Sequence, residues 1–195
     1  MSYIGSKPAN KAVVASDLDP AVITGQTALS SEPASTDEFL ISDAGVLKRL
    51  DASLIGGGKV LQVIHGTDET SRETTSTSYA SLTLNASITP SATSSKVLVL
   101  VSLAVSSAFD EKYGYFTLYR DTSDVGNSGG SGFFYTFDSD GSGDVYMAGS
   151  ITHLDSPSTT SETTYTLYGK ATSGGKARIN TNGGRSTITL IEIGA

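Results

Sequence analysis

The chain has 195 residues, a formal charge of −7 and no cysteine. That length gives room for one domain with a proper core and a small appendage. The missing cysteines exclude a disulfide framework, a thiolate nucleophile and a Cys-based metal centre, and the acidic balance argues against a nucleic-acid partner, which would need clustered Lys and Arg.

The start, Met1-Ser2-Tyr3-Ile4-Gly5, has no basic stretch followed by an apolar one, so no signal peptide is expected. Residues 1 to 57 show little strand alternation. Pro8, Pro20 and Pro33 forbid a long helix there, and Ala12–Asp19 reads as either a short helical turn or an extended arm. One strong local unit follows, Asp37–Leu50. Two apolar runs, with Phe39, Leu40 and Ile41 in the first and Val46, Leu47 and Leu50 in the second, flank Ser42-Asp43-Ala44-Gly45. Asp supplies side-chain turn bonding and Gly supplies positive φ, so the unit predicts a hairpin. Asp51 then stands where it could cap a brief helix over 52–55. Gly56-Gly57-Gly58 marks a boundary, because three glycines carry maximal backbone freedom. The expected organisation is an N-terminal arm over 1–57 and a C-terminal domain over 58–195. An arm this small cannot fold alone. Its order must come from its own C-terminal domain, from sister chains or from another protein.

The remainder reads as strands throughout: Lys59–His65, Tyr79–Ala86, Lys96–Ser107, Tyr113–Arg120, Gly132–Phe137, Asp144–Ile151, Thr163–Lys170, Lys176–Asn180 and Ser186–Ile193. Every second residue is apolar around Leu82 and Leu84, in Thr163–Tyr168, and in Thr187–Ile193, which is the period of a half-buried strand. Val97-Leu98-Val99-Leu100-Val101 gives no alternation and predicts a central strand covered on both faces. That run is also the longest apolar one and is far too short to span a bilayer. With 30 Ser, 24 Thr and 21 Gly, and no helical periodicity or fixed repeat, the expectation is all-β: an antiparallel β-sandwich or jelly roll behind a mostly irregular arm.

Three segments carry a resemblance. Ser87–Val99 (SITPSATSSKVLV), His153–Tyr165 (HLDSPSTTSETTY) and Asn182–Ile193 (NGGRSTITLIEI) resemble, in that order, elements of tail-fibre and related virion proteins of tailed bacteriophages. Asp37–Leu50 is similar to a unit common in the short arms of marine phage structural proteins. The resemblance implies a non-catalytic virion component, a homo-oligomer with a trimer favoured, docked on the particle through residues 1–57. Phe39, Leu40, Ile41, Val46, Leu47 and Leu50 would be the attachment residues. No coiled-coil shaft separates arm from domain, so a short tail fibre, appendage or adaptor is expected ahead of a long receptor fibre. A capsid decoration or head fibre, and a tip that binds host surface polysaccharide, are the alternatives. The expected location is the particle surface, tail ahead of head, without membrane insertion.

The residues themselves offer little catalysis. His65 and His153 stand at predicted strand ends, outside any triad motif, and no Gly-x-Ser-x-Gly elbow is present. Asp138-Ser139-Asp140-Gly141-Ser142-Gly143-Asp144-Val145 matches the start of an EF-hand-type loop, making Asp138, Asp140, Ser142 and Asp144 a weak calcium candidate. The twelfth position, however, is Gly149 where a bidentate Glu belongs, and a polar hairpin loop is the preferred reading. The same aspartates could serve as a carboxylate pair in a polysaccharide depolymerase, although such spikes are much longer chains. No cofactor is expected. Tyr and Phe cluster between 113 and 146, as a recognition surface or, preferably, as core and subunit interface, since the chain has no Trp. Asp121–Ser131 reads as an exposed, flexible loop. Asp121, Asp124, Asn127, Tyr135 and Tyr146 are the candidate recognition residues.

Overall fold

The structure, a computed structural model, describes residues 21–25, 27, 33–34, 36–55, 60–108, 112–126, 130–137 and 144–194. The Ala12–Asp19 segment, Gly56 to Gly58, Asn127, and Asp138 to Gly143 lie outside them. Contacts divide the chain into two compact units, Met1–Gly56 and Gly57–Ala195. No helix among the described residues is long and apolar enough to cross a membrane.

The first unit holds a single helical turn at Ala21–Thr24 and a hairpin of β1 (Glu38–Asp43) and β2 (Val46–Asp51). The two-residue connection has positive φ at Ala44 (50°) and Gly45 (82°). This is the mirror-image turn whose twist matches its flanking strands. A 3-10 turn follows at Ala52–Leu54. Asp51 has extended backbone at its start, but its side chain makes no capping bond, contrary to expectation. The hairpin base is closed instead by the Ala52 amide donating to the Asp37 carbonyl at 2.7 Å.

The second unit contains β3 (Val60–Asp68), β4 (Arg72–Thr74), β5 (Ala80–Ile88), β6 (Lys96–Ala108), β7 (Tyr113–Arg120), β8 (Ser123–Asp124), β9 (Phe134–Phe137), β10 (Val145–Asp155), β11 (Thr163–Ala171), β12 (Lys176–Ile179) and β13 (Ser186–Ile193). They form two antiparallel sheets. In the first, β3 pairs β13 and β13 pairs β6. β12 continues along the same edge of β6 and carries β4, while β10 runs along the opposite edge. In the second, β5 pairs β11 and β11 pairs β7, whose far edge takes β9 and β8. Leaving out the short β4, β8 and β12 and renumbering, the orders are 1-8-3-6 and 2-7-4-5. Only the fourth and fifth of these strands are successive neighbours within one sheet. The second unit is an all-β sandwich of two antiparallel sheets.

The core lies between the sheets. Leu82, Leu84 and Ile88 from one side meet Val97, Val99, Val101, Leu103 and Val105 from the other, with Phe116, Leu118, Tyr165, Leu167, Ile179, Ile188 and Leu190 completing it. The Tyr113–Arg120 strand has no room for a side chain at Gly114. A Cβ there would meet Thr136 Oγ1 at 2.9 Å and Ala177 Cα at 3.1 Å.

β6 corrects one expectation. It is central by pairing, but over Lys96–Val105 only the odd-numbered residues are buried. Leu98 is half-buried and Leu100 is 36% exposed on the outer face. The Asp121–Ser131 loop also differs from the expected free loop over its first part. Asp121–Gly126 folds back on β7, with Val125 N–H donating to the Leu118 carbonyl at 3.0 Å and Thr117 Oγ1 donating to Asp124 Oδ1 at 2.9 Å. Finally, β3 and β10 run further than expected, so His65 and His153 lie within strands and not at their ends.

Candidate functional site

Alternation on β7 sends Phe116 and Leu118 into the core and Tyr113, Tyr115 and Tyr119 to the outer face of the second sheet. On β9, Phe137 stands opposite Tyr113 and Tyr135 opposite Tyr115. The four rings form one surface. Tyr113 stacks on Phe137 with centroids 4.4 Å apart and on Tyr115 at 5.7 Å, and meets Tyr135 edge-on at 5.5 Å. A second group adjoins. Tyr168 of β11 stacks on Tyr119 at 4.0 Å, and Tyr79, just before β5, lies 6.5 Å from Tyr119. Such offset and edge-to-face pairs hold ring orientations at about 0.5–1.5 kcal/mol each.

Lys170 of β11 joins the two groups. It stands opposite Tyr115 in register, and its ammonium lies 4.6 Å from the Tyr79 ring centre and 5.2 Å from that of Tyr115. Beside it opens a cleft of about 410 Å³, lined by Thr77, Tyr115, Ser131, Lys170, Thr172 and Ser173 among others. Tyr79 fixes one wall, its hydroxyl donating to the Gly130 carbonyl at 3.2 Å. Burial, and then the Asp124 carboxylate, push that hydroxyl up to about 12, so it stays a donor at neutral pH.

A second cluster of polar groups sits at one end of the sandwich, where Val97 is paired to Glu192 on one side and Asp155 on the other. Glu192 is fully buried and accepts from Gln62 Nε2 at 2.5 Å and from the Ser91 amide and hydroxyl at 2.7 Å each. Burial alone would raise its carboxyl. The donors from Gln62 and Ser91 outweigh burial and hold it at about 2. Asp155 accepts from Arg120 Nη1 through both oxygens, at 2.8 and 2.9 Å, and from the Tyr165 hydroxyl at 2.7 Å. Burial, and then this bond, push the Tyr165 hydroxyl up. Both carboxylates are engaged by internal donors, which is a structural arrangement.

The described members of the sequence-predicted recognition set do not converge. Asp121 and Asp124 shape their own turn: Asp121 Oδ1 accepts from the Thr164 amide, and Asp124 Oδ1 from the Gly126 amide, both at 2.9 Å. Tyr135 belongs to the aromatic surface and is 53% exposed. Tyr146 lies on β10 in the other sheet, its hydroxyl donating to Asp144 Oδ2 at 3.2 Å. Asn127 lies outside the described residues, as do Asp138, Asp140 and Ser142. The fourth calcium candidate, Asp144, is paired to Arg178 Nη1 at 2.7 Å. No group of three or more potential metal-binding side chains exists among the described residues. His65 Nδ1 shares a hydrogen bond with Thr189 Oγ1 at 2.9 Å on the outer face, and His153 packs edge-on to Phe133.

The preferred reading of the aromatics as core is corrected. Among the described residues, Phe116 and Tyr165 are the fully buried Phe and Tyr side chains, because aliphatic strands already fill the interior. Of the attachment residues, Phe39, Leu40 and Val46 are exposed, Ile41 and Leu50 are half-buried, and the Leu47 side chain is not described. Phe39 faces Leu50 across the hairpin. Sequence reasoning missed Lys170, Tyr79, Glu192 and Asp155. The signal for Glu192 was its place on the apolar side of the β13 alternation, where a charge needs dedicated partners.

The first sheet has its own outer surface. Val63, Ile191, Leu98 and Leu154 stand in one register row across β3, β13, β6 and β10. Val63 and Leu154 are 55% and 50% exposed. No protein-family model matches the chain, and no curated protein matches it either.

Proposed function

We propose that the chain is a non-catalytic structural component of a tailed-bacteriophage particle: a short tail appendage or adaptor that docks through residues 1–57 and displays the β-sandwich outward. The observation that carries this reading is the apolar surface of the first unit. Phe39, Leu40, Val46, Leu54 and Ile55 are 41, 74, 58, 69 and 53% exposed, and a lone two-stranded hairpin is marginal in water. A unit with that surface is explained by a partner that buries it. The resemblance of Asp37–Leu50 and of the three C-terminal segments to phage virion proteins makes the particle that partner. The internal engagement of Asp144, Asp155 and Glu192 supports the non-catalytic reading.

Self-association, with a trimer favoured, belongs to the same proposal. The row Val63–Ile191–Leu98–Leu154, with Leu100 beside it, carries no carboxylate, although the chain has a net charge of −7. Two copies of an acidic protein repel least where neither presents charge, so this face fits a second copy of the same chain. β10 borders it with an edge that is unpaired among the described residues and contains no Pro, Lys, Arg or Glu over Val145–Asp155, the kind of edge that accepts another strand. Sedimentation of the Gly57–Ala195 unit tests this: a defined oligomer supports it, and a monodisperse monomer at micromolar concentration contradicts it.

Host-surface binding is a second reading, favoured by the exposed aromatic surface of the second sheet.

A further inference from the structure

We propose that the cleft on the outer face of the second sheet binds a carboxylated pyranose, a uronic-acid or sialic-acid type of sugar, with Tyr115 as its stacking floor and Lys170 as its carboxylate clamp.

The cleft volume of about 410 Å³ falls in the range of small-molecule sites. Its lining is unlike that of an apolar ligand pocket. Thr77, Ser131, Thr172 and Ser173 offer short hydroxyl side chains around a single aromatic residue, Tyr115. Sugars have that pairing of needs: ring C–H groups pack on an aromatic face, and peripheral hydroxyls exchange water for hydroxyl and backbone partners. The floor is rigid before a ligand arrives. Tyr115 is held by Tyr113 and Tyr135, and the Ser131 wall is tied to the floor by the bond from Tyr79 to Gly130. Gly132 fixes the same wall. Its φ is +66°, and a Cβ there would stand 2.2 Å from the Phe116 carbonyl oxygen, so only glycine fits.

The charge selects the sugar class. Lys170 has no carboxylate partner among the described residues, whereas Lys48, Lys176, Arg49, Arg72, Arg120, Arg178 and Arg185 each pair with one. Its ammonium rests on two ring faces, worth about 0.5–1 kcal/mol at an accessible site. A ligand carboxylate offers a stronger, charge-assisted bond. Phosphate is disfavoured because the cleft presents one point charge and neither an Arg fork nor a glycine nest.

The proposal concerns residues 57–195 alone and stands or falls separately from virion docking. The test is titration of the full chain with trigalacturonic acid and sialyllactose, against neutral maltotriose and cellotriose, followed by calorimetry and by amide shifts. An acidic probe is expected to bind with Kd near 0.1–1 mM and at least tenfold more tightly than the neutral ones. Lys170→Gln should erase that preference, Tyr115→Ala should remove binding of all four, and a thermal melt should show both variants folded. Should Tyr115→Ala fail to fold, Lys170→Gln together with Thr172→Val carries the test. Equal affinity for acidic and neutral probes, no binding to any at about 10 mM, tighter binding of inorganic phosphate, or an unchanged preference in Lys170→Gln would each overturn the proposal.

Discussion

Glu192 is the residue whose removal says most about how the sandwich is closed. It sits on the inward side of β13, fully buried, and forms no ion pair among the described residues. Three donors from Gln62 and Ser91 hold it, and Gln62 also donates to the Thr89 carbonyl at 2.8 Å. One carboxylate therefore ties β3 and the Thr89–Ser91 bend to the last strand. Replacement by Gln keeps the volume but turns an amide NH₂ toward groups that are themselves donors. Loss of charge-assisted bonds of about 1.5–3 kcal/mol, partly offset by the retained carbonyl, predicts destabilisation of about 2–3 kcal/mol at pH 7. A second signature is pH. The carboxyl is held at about 2 against a free value of 4.5, which corresponds to about 3 kcal/mol of linkage. Because the folded value is depressed, that stability is fully present above pH 4.5 and is lost as pH falls from 4.5 toward 2. Asp68 and Glu73 are lowered too and add to the acid sensitivity, so the diagnostic is the difference between parent and variant. Urea denaturation at pH 7 and pH 3 should show a gap that is wide at neutral pH and narrow at acid pH. A variant within about 0.5 kcal/mol of the parent at pH 7, or a gap that does not change with pH, would refute the reasoning.

Other substitutions read other parts of the structure. Arg120→Met leaves Asp155 buried beside Tyr165 without its cation and should cost about 3–5 kcal/mol in chemical denaturation, whereas Tyr165→Phe removes one bond and should cost about 1–2 kcal/mol. Gly132→Ala forces a side chain toward the Phe116 carbonyl at positive φ. It should lower stability by about 1–3 kcal/mol and shift amide resonances around Gly130 and Ser131, as read by a thermal melt and NMR. Leu98→Lys with Leu154→Lys places four like charges on the facing rows of two copies and should convert an oligomer to monomer in sedimentation, with an unchanged circular dichroism spectrum.

The sheet was largely legible in the residues. Alternation around Leu82, through Thr163–Tyr168 and through Thr187–Ile193 reports burial on one face, and that face is the core. The uniform run at Val97–Val101 was not decisive. A strand covered on both faces and a strand whose outer face awaits a partner carry the same apolar pattern. β4 and β8 span three and two residues, too short for any period to register. The aromatic cleft was invisible for a different reason. Tyr79, Tyr115, Ser131 and Lys170 come from four separate stretches of chain, and only the pairing of β11 with β7 places Lys170 beside Tyr115. Conversely, Asp121, Asp124 and Tyr146 are directed into separate bonds, Asp121 to the Thr164 amide, Asp124 to the Gly126 amide and Tyr146 to Asp144.

The measurement that bears most directly on the proposed virion role is electron microscopy of purified particles carrying a gold-conjugated antibody against the Gly57–Ala195 unit, with Leu40→Asp as the paired variant. Discrete label on the particle, concentrated at the tail and lost in the variant while its β-sandwich remains folded, is the predicted result. Unlabelled particles alongside abundant free protein in the lysate would contradict it.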